Sequence, residues 1–176
     1  MMEVLKELVD ISEMFNSTVD IDWVQKGDAI TGTFSVDDQQ YVIMLEFASY
    51  PFANKQRSLV NIAFYKKMDG KDEPVFDLTN DTKNPMKVLG AIVNGSFKIL
   101  KKHPVDAVIF AAANNVEKRM EFYNKLAMRF AKNFGSLIKD VKADSGTFSI
   151  LVSTQIPVDE RREFAKFVAE RNKAKA

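Results

Sequence analysis

Few side chains in this sequence are of kinds that do chemistry, and they lie far apart. Tyr123 sits in the run Phe122-Tyr123-Asn124-Lys125-Leu126. A phenol held against a sulfur or an amine there would act as a general acid. The same tyrosine, spaced with Met120, Ala127 and Phe130, also fits a core-facing helical stripe, and one tyrosine on a helix does not choose between the two. A base would have to be a carboxylate such as Glu46, Glu73 or Asp77. Glu46 interrupts an apolar strand pattern, where an unpaired carboxylate is costly to bury. The competing expectation for it is a strand end, where it reaches water or meets a lysine. Thr79–Asn84 precedes Pro85, so Thr82, Lys83, Asn84 and Lys87 could hold an anion at a helix N-terminus. The same residue types also cap helices with no ligand at all. His103 is expected at a helix C-terminus, a favourable place for an imidazolium, and Ser145-Gly146 reads as a hairpin turn without the strand-to-helix context of a nucleophile elbow.

Composition removes several classes of chemistry. There is no cysteine and one histidine, which excludes disulfides, thiolate metal sites and cysteine nucleophiles and argues against zinc. Twenty-five Lys and Arg against 24 Asp and Glu give a formal charge of +1, so no global field draws the chain to nucleic acid or an anionic membrane. The N-terminus lacks the basic and apolar blocks of a signal peptide, and no apolar run approaches the roughly 20 residues that span a bilayer. The expectation is a cytosolic protein. Its 176 residues, 46% hydrophobic with fourteen Phe, suffice for the core of one domain over 1–176.

The elements that must position these residues follow from periodicity. Leu5, Leu8, Val9 and Phe15 predict an amphipathic helix over 2–15. From Val19 the period becomes two. Strands are expected around Val19–Val24, Ile30–Val36, Tyr41–Phe47 and Leu59–Tyr65, with a shorter one at Val75–Leu78 and a polar loop over Ser49–Arg57. Pro85 opens a helix to about Lys102, with Val88, Leu89, Ile92, Val93, Phe97 and Leu100 as its apolar stripe. A buried strand over Val105–Ala112 follows. Asn114-Asn115 caps a long helix that stops at Phe134-Gly135, and a hairpin turns at Ala143–Gly146. Pro157 opens a last helix with Phe164, Phe167 and Val168 inward. That helix also carries Arg161, Arg162, Lys166 and Arg171, either a solvated face of mixed charge or a surface for a partner or nucleic acid. Trp23 is expected in the core or on a sheet face.

This order of elements resembles the GNAT family of N-acetyltransferases, in which an antiparallel meander leads into a helix, a strand, a second helix and a final hairpin. The text Ala107-Val108-Ile109-Phe110, then Asn114-Asn115, then Phe122-Tyr123-Asn124-Lys125-Leu126 is similar to the family's strand, asparagine and aromatic-Tyr-x-Lys-Leu segment. The resemblance covers roughly residues 60–155. It implies acetyl-coenzyme A as cofactor, with Tyr123 protonating the departing thiolate, Asn115 in the place of the family asparagine, and Thr82, Lys83, Asn84 and Lys87 where the pyrophosphate would lie. The chain departs from the pattern in three places. It has no glycine between Gly70 and Gly90, where the family carries a Gln/Arg-x-x-Gly-x-Gly/Ala loop. Asn115 stands eight residues before Tyr123 rather than seven, and Ala127 replaces the glycine after Lys-Leu. A further resemblance, to small proteins of tailed bacteriophages, brings no site residues with it.

The expected fold is therefore α/β (α+β), a single domain with a mostly antiparallel mixed sheet, helices on both faces, GNAT-like. Two functions follow. One is an accessory protein that binds a protein partner with weak or no catalysis. The other is an acyl-coenzyme A N-acyltransferase using Tyr123 as acid, with a cleft between Val105–Ala112 and the following strand that opens near Asn84–Lys87. Nucleic-acid binding ranks third. Whether the first and last helices bury their apolar faces within one chain or across a homodimer stays open, and no metal is called for.

Overall fold

The computed structural model describes residues 19–67, 85–110, 128, 131–132, 134–144 and 146–171. The helix expected over 2–15, the strand over 75–78, most of the helix over 114–133 and the tail lie outside them. Alternating residues build an antiparallel meander of four strands: β1 (Asp22–Lys26), β2 (Ala29–Val36), β3 (Gln39–Phe52) and β4 (Lys55–Lys67). Two-residue turns join them. Asp37 and Asp38 (φ 49° and 65°) and Ala53 and Asn54 (φ 48° and 65°) both take the paired left-handed conformation whose twist matches the flanking strands.

Residues 49–57, expected as a polar loop, form instead the outer arm of the β3–β4 hairpin, paired down to Phe52 opposite Lys55. Two physical causes extend the strands. β2 ends at Ala29 opposite Glu46, so beyond the bond from the Phe47 N–H to the Asp28 carbonyl, one side of β3 faces no described strand and Pro51 forfeits no ladder bond. The arm also has something to pack on. Phe52 meets Phe164 and Phe167 with ring centroids 5.0 and 5.1 Å away.

Pro85 occupies the first turn of α1 (Pro85–Lys102), and α1 leads into β5 (Ala107–Phe110). β5 pairs parallel to β4, Leu59 opposite Ala107 through Ile62 opposite Phe110. All four β5 residues are buried, as a strand covered on both faces requires. β6 (Gly135–Ala143) and β7 (Gly146–Ser153) form the last hairpin, with β7 inserted beside β5, so one sheet runs β1-β2-β3-β4-β5-β7-β6. Gly135 is required where the chain enters β6, because a Cβ there would collide with the Val152 carbonyl.

Successive residues of β4 and β5 divide the core. Val60, Ile62, Val108 and Phe110 face Val88 and Ile92 of α1. Leu59, Ala107 and Ile109 face Phe164, Ala165 and Val168 of α2 (Arg161–Arg171), which follows a short 3-10 turn, Val158–Glu160. The sheet is thus mixed, mostly antiparallel and flanked by helices on both faces, and the described elements keep the order meander, helix, strand and final hairpin. Two basic residues of α2 have structural tasks rather than a free surface. Arg161 donates to the Ile156 carbonyl at 2.8 Å and to Ser136 Oγ at 2.9 Å, and the Arg171 guanidinium lies 3.4 Å from the Phe167 ring centroid.

Ala53 carries a Cβ in a conformation that costs a non-glycine residue roughly 1–2 kcal/mol. Replacement by glycine relieves that strain and gives part of it back as unfolded-state entropy. Ala53→Gly should therefore raise the unfolding free energy by about 1 kcal/mol in urea denaturation. A loss of stability would mean that the turn is not left-handed at Ala53.

Candidate functional site

One concavity among the described residues begins with two glycines. Trp23 of β1 stands directly opposite Gly32 of β2. A Cβ on Gly32 would lie 2.6 Å from Trp23 Cζ3, and one on Gly95 of α1 would lie 3.1 Å from Trp23 Cζ2. The indole therefore spans from sheet to helix over two positions without side chains, and Ile21 packs beside it on the same two glycines. A mid-helix glycine costs about 1 kcal/mol relative to alanine, so Gly95 is explained by this close approach rather than by helix formation.

Beyond the indole lies a cavity of about 1460 Å³. Its apolar wall is Ile21, Trp23, Phe97, Leu100 and Phe134, and its polar wall includes Asn94, Lys98 and Lys101 of α1. Residues 94, 98 and 101 share one face of the helix by their spacing. Asp20 borders the opening on the β1 side, with Thr154 and Gln155 at the end of β7. Neither Lys98 nor Lys101 forms an ion pair with another described residue.

A salt bridge from Arg57 to Asp106 belongs to a clamp at the cavity floor. Asp106 Oδ2 accepts from the Ser58 N–H at 2.9 Å, and Oδ1 lies 3.4 Å from Arg57 Nη1. The Asp106 N–H donates to the Ser58 carbonyl at 2.8 Å and its carbonyl accepts from the Ser153 N–H at 2.9 Å. One residue thus fixes the starts of β4 and β5 to the end of β7.

Of the residues that the sequence singles out, the described ones, Glu46 and Lys87, do not line this cavity. Glu46 is half-buried in the middle of β3, not at a strand end, but at the level where β2 stops, opposite Ala29 and Asn61. By alternation it faces the α2 side of the sheet, away from the cavity. Lys87 is half-buried in the first turn of α1, which carries no acidic residue, and it does not line the cavity either. Tyr123, Thr82, Lys83, Asn84 and Asn115 lie outside the described residues. His103 ends α1 through a bond from its N–H to the Ile99 carbonyl at 2.9 Å, with its ring 5.7 Å from that of Phe47. On β4, burial pushes the Tyr65 phenol above its usual pKa. No group of three His, Asp or Glu suited to a metal occurs among the described residues. The signal for Trp23, Lys98 and Lys101 was two glycines inside otherwise regular elements, which mark close approach only once the elements are placed.

No family model matches the chain, and no curated protein does. Among solved structures, a chain of the crystal structure of the KacTA–DNA complex is similar to it at 13% identity with a TM-score of 0.43, over 80% of this chain and 76% of its own. A likeness of that size bears on neither substrate nor partner.

Two substitutions test this architecture. Alanine in place of a strand glycine ordinarily stabilises by about 0.5–1 kcal/mol. At Gly32 the indole must move to admit the methyl, so Gly32→Ala should lower stability and shift the Trp23 emission maximum to the red. Asp106→Ala removes two acceptor contacts and strands the mostly buried Arg57, so it should cost about 2–3 kcal/mol in the same denaturation measurement.

Proposed function

We propose that this chain is a GNAT-like accessory protein that acts by binding a protein partner, with weak or no acyl transfer. The observation that carries this reading is the size and place of the cavity. Pockets for single small molecules run to about 300–1,000 Å³. This one is about 1460 Å³, with both apolar and charged walls, which suits a stretch of polypeptide better than one metabolite. It lies against the C-terminal half of α1 and the first residues of β4 and β5 (Lys98, Lys101, Ser58, Asp106), the opposite end from the helix start where a phosphate-cradling loop would sit. The sequence before α1 also lacks the glycines that let a backbone approach a pyrophosphate.

One observation favours the second reading, an acyl-coenzyme A N-acyltransferase with Tyr123 as acid. β4 and β5 are the parallel pair of the sheet, and among the described residues β4 continues past its last β5 partner, Ile62, as far as Lys67. Open sheets place ligands at the carboxyl ends of parallel strands. In this reading the amine to be acylated would need a base within hydrogen-bond reach, and Glu46 on the neighbouring strand is the carboxylate available.

Thermal unfolding with and without millimolar acetyl-coenzyme A separates the two. A ligand at about 100 times its Kd stabilises by roughly 2.7 kcal/mol, which for a chain of this length raises Tm by about 5–10 °C. The binding-protein reading expects no shift. A clear shift, with saturable acetyl transfer that Tyr123→Phe abolishes, would overturn it in favour of the enzyme.

A further inference from the structure

The cavity beside Trp23 also indicates what kind of partner segment would fill it. Its walls differ in character. Trp23, Ile21, Phe97 and Phe134 offer half-buried apolar surface. Opposite them α1 presents two exposed lysines one turn apart, Lys98 and Lys101, with no ion pair to another described residue. The two carboxylates of the lining do not neutralise them. Asp106 is held by Arg57 and the Ser58 N–H, and Asp20 borders the opening from the β1 side without pairing to either lysine.

An occupant complementary to both walls must join apolar side chains to negative charge. Aromatic surface in a recess supplies anchoring contact, and charge complementarity sets orientation and rejects wrong partners. We propose that this cavity docks an acidic, amphipathic peptide segment of a protein partner, with its apolar side chains against Trp23 and Phe97 and its carboxylates on Lys98 and Lys101. This rests on the binding-protein reading above and gives that partner its chemistry. Basic or purely apolar segments are disfavoured, the first by the two lysines and the second by leaving them desolvated and unpaired.

Trp23 is the sole tryptophan of the chain and lines this cavity, so its emission reports on what fills it. The experiment selects 12-residue peptides from a random displayed library on the full chain, then titrates the enriched peptides while following Trp23 fluorescence. Enriched sequences should combine Asp or Glu with Leu, Phe or Ile, and should shift the emission to the blue. Their affinity should fall at least tenfold in the Lys98→Glu/Lys101→Glu double variant and stay within twofold in Lys166→Glu, on the far side of the sheet. All three lysines are exposed, so these variants should keep the wild-type Tm, which is measured alongside. Peptides that bind without moving Trp23 emission, or equally well to the double variant, would overturn the site while leaving a binding protein standing. Enrichment of basic peptides, or of none, would overturn the acidic-segment proposal. A Tm shift with acetyl-coenzyme A, read separately, would sink the binding-protein reading itself.

Discussion

The join between β4 and β5 is the constraint on which the rest of the structure depends. Four residue pairs connect the N-terminal meander to the C-terminal hairpin, and they are parallel, so the chain must travel the length of the sheet through α1 between them. Parallel pairing is slightly weaker per residue than antiparallel pairing. Here it is reinforced twice: by burial on both faces, since β5 lies under α1 and α2, and by the Asp106 clamp at its start. If β5 slipped by one residue, Val108 and Ile109 would exchange helices, because side chains alternate across a strand. The carboxylate on the Ser58 N–H sets the register that prevents this.

The cavity is a consequence of that join rather than an independent feature. Val88, Ala91, Ile92 and Val93 of α1 share one core cluster with Ile43, Leu45 and Val60 of the sheet. The indole of Trp23 takes the room that Gly32 and Gly95 leave between sheet and helix. The surface left between them combines the edge of the meander, the last turns of α1 and the end of β7, three regions distant in sequence. The two lysines gain their meaning only from that assembly. Alone on α1, Lys98 would be a solvated charge and Lys101 a favourable partner of the helix dipole.

Much of the fold was legible in the chain. The period-two runs placed β2, β3 and β4, Pro85 marked the start of α1, and Gly135 marked the change from helix to strand. The outer hairpin arm was not legible. Tyr50-Pro51-Phe52 reads as loop because proline removes a ladder donor, and only the early end of β2 and the presence of Phe164 and Phe167 make a strand affordable there. Glu46 shows the same limit from the other side. Its type and its apolar neighbours raised a catalytic expectation, yet which face it takes and what stands beside it follow from the β3 register, which sets it opposite Asn61 and away from the cavity.

What the sequence determined by itself is local and compositional: an α+β chain without thiol chemistry, its main elements, and the apolar stripes that become the two halves of the core. These depend on backbone preferences and on periods of two and 3.6, which any window of the chain displays. The tertiary structure alone decided which residues meet. The union of Trp23 with Gly95 across more than seventy residues, the capture of Ser58 by Asp106, and the placing of an aromatic wall beside two exposed lysines are long-range features. No local pattern encodes them, because each exists only after the parallel strand between two helices has brought distant segments to the same end of the sheet.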